Sequence, residues 1–227
     1  SYAPFTLDGS GNVGIGTSSP TSYADRTLHV TGGTGSATLK LSSTSVGNTN
    51  ADGFDVAHSG VNAYLINREN GPMMFSTNDI ERMRIDNNGN VNVGCTDGNS
   101  LYNNSGTNDG VGVLANGQIQ QAVYQDVVHY VNRTGNDGTI TSFQKDGATV
   151  GSIGTGNGGN LYIGSGDTGI NFNADINSVY PINPTNGAAS NGAIDLGYGG
   201  IAFKDLYLSG TYHVASGGTG KIQGTNP

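Results

Sequence analysis

Charge is what this sequence has least of. Asp, Glu, Lys and Arg make up 11% of its 227 residues, against roughly 25% in ordinary soluble domains. Nine basic residues face 17 acidic ones, for a net charge of −8 and a pI near 4.6. A phosphate backbone needs clustered Lys and Arg, and the nearest thing here is Arg82 with Arg84. No nucleic-acid partner is expected. Trp is absent, and hydrophobic residues reach only 34%. A compact monomer of this length normally carries more large apolar side chains to offset its conformational entropy. Cys95 is alone, which excludes an intrachain disulfide. It follows the apolar stretch around Val91 and Val93 and reads as a packed thiol rather than a nucleophile. No apolar run approaches the roughly 18 residues of a membrane-spanning helix, so no membrane insertion is expected. The first residue is Ser1 and no signal peptide is visible, as expected of a fragment or a processed product.

Glycine is abundant instead, with 39 residues, and Asn, Ser and Thr fill much of the remainder. Disordered chains combine high charge with little alternation. Here charge is scarce and short runs alternate apolar with polar residues. The pattern predicts several chains sharing one narrow core, each contributing a thin apolar stripe.

A repeat organises the first half. Asp8-Gly-Ser-Gly-Asn-Val-Gly-Ile-Gly16 returns as Asp86-Asn-Asn-Gly-Asn-Val-Asn-Val-Gly94, with a looser copy at Val113-Leu-Ala-Asn-Gly-Gln-Ile119. Each copy reads as strand, tight turn, strand, with Val13/Ile15 and Val91/Val93 on one face. Residues 64–85 predict a meander of antiparallel hairpins. Further strands are expected over residues 123–132, 139–145 and 149–153, with Asp146-Gly147 as a turn. A Gly-rich stretch leads to strands at 161–163 and 170–172. Pro181 and Pro184 suggest an irregular region, after which 193–197 and 203–208 resume strand-like patterns; the tail from Ala215 reads as loop or linker. Four regions follow: 1–100 and 101–160 as repeat and meander, 161–210 as a distal β region, and 211–227 as a tail. The fold class expected is all-β, an elongated homotrimer of short hairpins and meanders (β-helix or β-prism-like), with little or no helix.

Motifs that look chemical have plainer readings. Gly9-Ser-Gly11-Asn-Val-Gly14 matches G-x-G-x-x-G but lacks the following helix that a dinucleotide site needs. Gly217-Gly-Thr-Gly-Lys221 resembles the end of a P-loop, yet Ala215 and Ile222 stand where Gly and Ser/Thr are required. A carboxylate pair could cleave polysaccharide; Asp8, Asp52, Asp86, Asp97, Asp137 and Asp146 sit in turns, leaving Asp175, Asp195 and Asp205 as candidates. Among the histidines, His129 is the one to check for an axial metal shared by symmetry-related chains. Tyr102, Tyr180 and Tyr198 are loop-like positions that could grip sugars, though core or interface packing is the commoner role of a Tyr. No catalytic residue, metal ligand or cofactor is predicted, and no receptor-binding residue can be named.

Thr6-Leu-Asp-Gly-Ser-Gly-Asn-Val-Gly-Ile-Gly-Thr17, followed by Leu28-His-Val30, resembles a repeat common in phage tail fibres. Gly71-Pro-Met-Met-Phe-Ser76 with Glu81-Arg-Met-Arg-Ile-Asp86 looks like the same repeat. Phe143-Gln-Lys-Asp-Gly-Ala-Thr-Val-Gly-Ser-Ile153 is similar to a distal-fibre motif. Phe203-Lys-Asp-Leu-Tyr-Leu-Ser-Gly210 resembles the stretch that often precedes a C-terminal intramolecular chaperone, and Ala215-Ser-Gly-Gly-Thr-Gly220 resembles fibre linkers. These blocks are scattered along the chain from Thr6 to Gly220. The resemblance implies a non-enzymatic, trimeric virion component that joins other tail or baseplate proteins and attaches to a host surface glycan or protein. Nothing after Gly210 looks like the chaperone itself. A bacterial surface adhesin and a polysaccharide-degrading tailspike are the alternatives.

Overall fold

The computed structural model describes residues 5–21, 26–103, 109–201 and 203–210. The chain divides into two compact units, Ser1–His129 and Tyr130–Pro227. Both are built mainly from antiparallel strand pairs, and the four sheets include no closed barrel.

The first unit holds three sheets. Strands β1 (Phe5–Leu7), β2 (Val13–Ile15) and β3 (Leu28–Val30) form one. A second comprises β4 (Ser36–Leu41), β5 (Phe54–Ser59) and β6 (Asn62–Asn67). The third is a five-stranded meander of β7 (Met73–Thr77), β8 (Ile80–Ile85), β9 (Val91–Val93), β10 (Gly110–Val113) and β11 (Ile119–Ala122). A 3₁₀ turn, Gly98–Asn103, lies between β9 and β10. β3 runs parallel to β2, a crossover that hairpin reasoning does not anticipate.

The three repeat copies become three hairpins with one backbone pattern. The amide of Asp8 donates to Asn12 O at 3.0 Å, Asp86 to Asn90 O at 2.9 Å, and Leu114 to Gln118 O at 2.8 Å. Gly11, Gly89 and Gly117 take φ values of 86°, 84° and 89°, a conformation open to glycine and strained for other residues. In the first two copies a carboxylate fastens the turn. Asp8 Oδ1 accepts the amides of Ser10 and Asn12, and Asp86 Oδ1 those of Asn88 and Asn90. The third copy has the buried Leu114 in that place, and Asn116 accepts the Gln118 amide instead.

The second unit is a six-stranded meander of β12 (Gly138–Lys145), β13 (Ala148–Gly156), β14 (Asn160–Ser165), β15 (Thr168–Asn173), β16 (Ser178–Asn183) and β17 (Ala188–Ala189). Asp146 and Gly147, both at positive φ, form the two-residue turn expected between β12 and β13. The sheet curls strongly. A Cβ on Gly156 of β13 would stand 2.9 Å from Ile182 Cδ1 on β16, two strands beyond its ladder partner.

Several strand expectations are corrected. Residues 123–132 enter no ladder, despite their run of Val and Tyr. Residues 193–197 and 203–208 also form no strand; only the single bridge Tyr198–Ile201 is present there. Conversely, Pro181 sits inside β16 opposite Ile170. Its carbonyl receives Ser190 N, so its missing donor faces the short β17 side, where the ladder is nearly over. The tail from Ala215 lies outside the described residues.

Apolar packing is sparse. Among the described residues only Leu101, Leu114, Tyr162 and Ile182 are buried hydrophobics. Asn12, Asp55, Asn92, Ser152 and Asn171 are buried polar groups.

Candidate functional site

Each sheet carries apolar rows on one face that stay partly exposed, while its other face is covered by its own chain at least in part; Tyr64 and Met74 remain exposed on those other faces. In the first sheet Phe5, Ile15 and Val30 align across the strands, beside Leu7, Val13 and Leu28. The opposite face carries Thr6, Gly14 and His29, and the loop after β2 lies so close that a Cβ on Gly14 would meet Thr17 O at 2.7 Å. In the second sheet Leu39, Val56 and Leu65 align, next to Leu41 and Phe54. Its other face holds an ion cluster. Asp55 is buried between Lys40 Nζ at 2.9 Å and Arg68 Nε at 2.7 Å. Lys40 first, then Arg68, keep the Asp55 carboxyl below the usual range against the effect of burial.

The third sheet repeats this plan more fully. Phe75, Met83, Val93 and Val111 form one row, and Met73, Ile85, Val91, Val113 and Ile119 the next. Behind them Asn92 is fully buried under the 3₁₀ turn, with its Oδ1 accepting the Gly98 amide at 3.2 Å. Gly98 and Gly112 permit that approach, since a Cβ on Gly98 would lie 2.5 Å from Gly112 Cα.

In the second unit, Ile153, Ile163, Ile170 and Pro181 form one row of the open face, and Leu161, Phe172 and Val179 another. Ile163 is 50% exposed and Leu161 45%. The concave side carries Gly154, Gly156, Gly164 and Gly169 together with Tyr162, Asn171 and Ile182. Tyr162 lies across Gly154 to reach Thr139 Oγ1 at 3.2 Å.

The residues considered for chemistry do not converge. Asp175 is in the exposed turn between β15 and β16, while Asp195 and Asp205 are exposed on irregular segments. Tyr180 lies on β16 rather than in a loop, and its hydroxyl accepts Asn157 Nδ2 at 2.6 Å and Asn173 Nδ2 at 3.3 Å. Tyr102 belongs to the 3₁₀ turn and Tyr198 to the single bridge; both rings are largely exposed. His129 Nδ1 stands 3.1 Å from Gln121 Oε1. Among the described residues no group of three or more His, Cys, Asp or Glu side chains is placed to hold a metal. The Cys95 thiol points to Val111 O at 3.7 Å, and burial, then Asp97, push its pKa up, which disfavours the nucleophilic thiolate. Arg84 is tied to Glu81, and Arg82 to Thr77 Oγ1 at 3.0 Å, so the two arginines form no free basic patch.

What the described residues present is a set of apolar strand rows on four sheets, partly exposed, with polar or glycine positions on the opposite faces. No helix among the described residues is long and apolar enough to cross a membrane. No protein-family model matches the chain, and neither a curated protein nor a solved structure does.

Proposed function

We propose that the chain is a structural and host-attachment component of a phage tail fibre, assembled as a homotrimer on the virion. The observation that carries the self-association is the uncovered apolar face on all four sheets. Burying about 1,000 Å² of apolar surface contributes roughly 25 kcal/mol before entropy costs. A monomer that leaves such rows in water while burying Asn92, Asn171 and Asp55 lacks the usual driving force for folding. Like copies supply the missing cover with no further component, and closed symmetry makes each face meet its equivalent surroundings. The fibre assignment rests on the motif resemblance, which the three hairpins around Asp8, Asp86 and Leu114 support as one recurring turn.

Its action would be mechanical. Three chains share one apolar interior, and three equivalent outer surfaces let weak contacts to a host glycan or protein add by multivalency. No enzymatic step is assigned. Sedimentation velocity tests the assembly: a species of about 69 kDa, three times the 23.1 kDa chain, is expected. A 23.1 kDa species would remove the structural basis of the reading. Binding of the labelled trimer to host cells, without release of oligosaccharide from their capsule, tests attachment.

A further inference from the structure

Residues 127–132, Val-Val-His-Tyr-Val-Asn, carry a run of β-branched and aromatic side chains suited to a pleated, half-buried strand. In the chain they form none. Among the described residues the amides of 128–132 find no acceptor, and the side chains are open, with Val128 46% and Tyr130 82% exposed. Only the His129 ring has a polar contact, with Gln121 Oε1 on β11 at 3.1 Å. The segment follows the turn at Gln125 (φ 54°) after β11, and β11 is itself an edge strand with one ladder neighbour, β10. Edges are commonly blunted by bulges. β7, the opposite edge of the third sheet, and β12, an edge of the second unit's sheet, carry register shifts at Phe75/Ser76 and at Thr139/Thr141 and Phe143/Gln144. The β10–β11 ladder is regular, so β11, unlike those two edges, carries no bulge.

We infer that residues 127–132 of one copy add as a strand to the β11 edge of a neighbouring copy, exchanging backbone hydrogen bonds between chains. The segment carries no Asp, Glu, Lys or Arg, so it can approach a chain of net charge −8 without repulsion. Its Val side chains continue the apolar surface that Ile119 opens on β11. Main-chain pairing at a free edge supplies both affinity and register. A short tether between β11 and the added strand makes the exchange reciprocal around a closed ring of copies.

This inference rests on the homotrimeric reading, and the test separates the two. Amide hydrogen exchange is followed on the full chain, with its mass measured in the same buffer. The expected result is a trimer in which amides within 128–132 exchange at least about 100-fold more slowly than in an unstructured peptide. A trimer in which those amides exchange at the unstructured rate overturns the strand exchange and leaves the trimer standing. A monomer overturns both. Val128→Pro and His129→Pro, made separately because alternate amides face opposite edges, give a second readout. The chain's own fold uses neither N–H, so circular dichroism should hold while at least one variant dissociates about tenfold more readily. Retention of trimer affinity by both variants would also overturn the inference.

Discussion

Asp8 and Asp86 fasten their turns as carboxylates, and this gives the fold an acid dependence of predictable sign. Hydrogen bonds from the Asn12 side chain and amide hold the Asp8 carboxyl below its usual range. At Asp86 burial acts the other way but is outweighed by the Asn90 amide and side chain, with Asn88 and Asn92 adding. A depressed folded-state pKa means stability that is complete above the unfolded value of about 4 and lost as pH falls through the folded one. Urea unfolding should therefore be insensitive to these groups near neutrality and weaken below about pH 4. The double variant Asp8→Asn, Asp86→Asn should make that acid limb shallower, with Asp52, Asp55, Glu81 and Asp137, also depressed, supplying the remainder. An unchanged limb would show that the turn carboxylates are not coupled to folding.

Two buried asparagines make an opposite pair. Asn92 accepts the Gly98 amide in a buried setting, so Asn92→Leu strands a donor and should cost about 1–3 kcal/mol. Asn171 is fully buried with no protein partner at either amide atom. Asn171→Leu leaves no group behind and should cost less than about 1 kcal/mol or stabilise. Denaturant midpoints compare them directly, and equal losses would contradict the difference in partners.

Glycine acts in two ways in the third sheet, and substitution separates them. Gly89 holds φ 84° in its turn, and a Cβ there would find only Ala115 Cβ at an ordinary 3.5 Å. Gly89→Ala should cost about 1–2 kcal/mol, for conformation alone. Gly98 has no positive φ, but a Cβ would press on Gly112 Cα and Asn92 Oδ1. Gly98→Ala should cost about 1–3 kcal/mol through displacement of the 3₁₀ turn, exposing Asn92 and Leu101 to exchange while leaving the hairpin intact. Hydrogen exchange at Asn92 and Val93 distinguishes the two outcomes.

These elements also mark where sequence reasoning reached and where it stopped. Hairpins were legible because Asp-x-x-Gly-Asn and Asp146-Gly147 encode their turns within a few residues. Pairing that depends on distant residues was not: the parallel β2–β3 contact spans a crossover, and residues 123–132, 193–197 and 203–208 have strand-like composition with no ladder in one chain. Pro181 misled because a proline excludes only one side of a strand. That many apolar side chains stay exposed was foreseeable from the shortage of core material. The identity of the enclosed face was not, although Gly14 and Asn92 occupy equivalent places between the two apolar residues of each repeat. No local rule treats Gly or Asn as an interior marker.

Taken together, the four sheets invert the ordinary relation between face and solvent, and that inversion yields the sharpest test of assembly. A substitution on an exposed position of a monomer usually changes stability by less than about 0.5 kcal/mol. Ile163 and Val93 are both close to half exposed in the isolated chain, so Ile163→Asp and Val93→Asp should be tolerated if the chain works alone. If the open faces meet in a trimer, each substitution places three carboxylates at a shared apolar interface, where every unpaired charge costs several kcal/mol. The expected result is a shift of the sedimenting species to 23.1 kDa with the β-type circular dichroism of the hairpins retained. Val61→Asp, at the exposed turn between β5 and β6 (96% exposed), lies off these rows and should leave the trimer unchanged. If all three variants behave alike, the apolar rows are not the assembly surface, whatever the mass of the parent protein. If Ile163→Asp dissociates the chains while Val93→Asp does not, the second unit's face carries the association and the β7–β11 face does not.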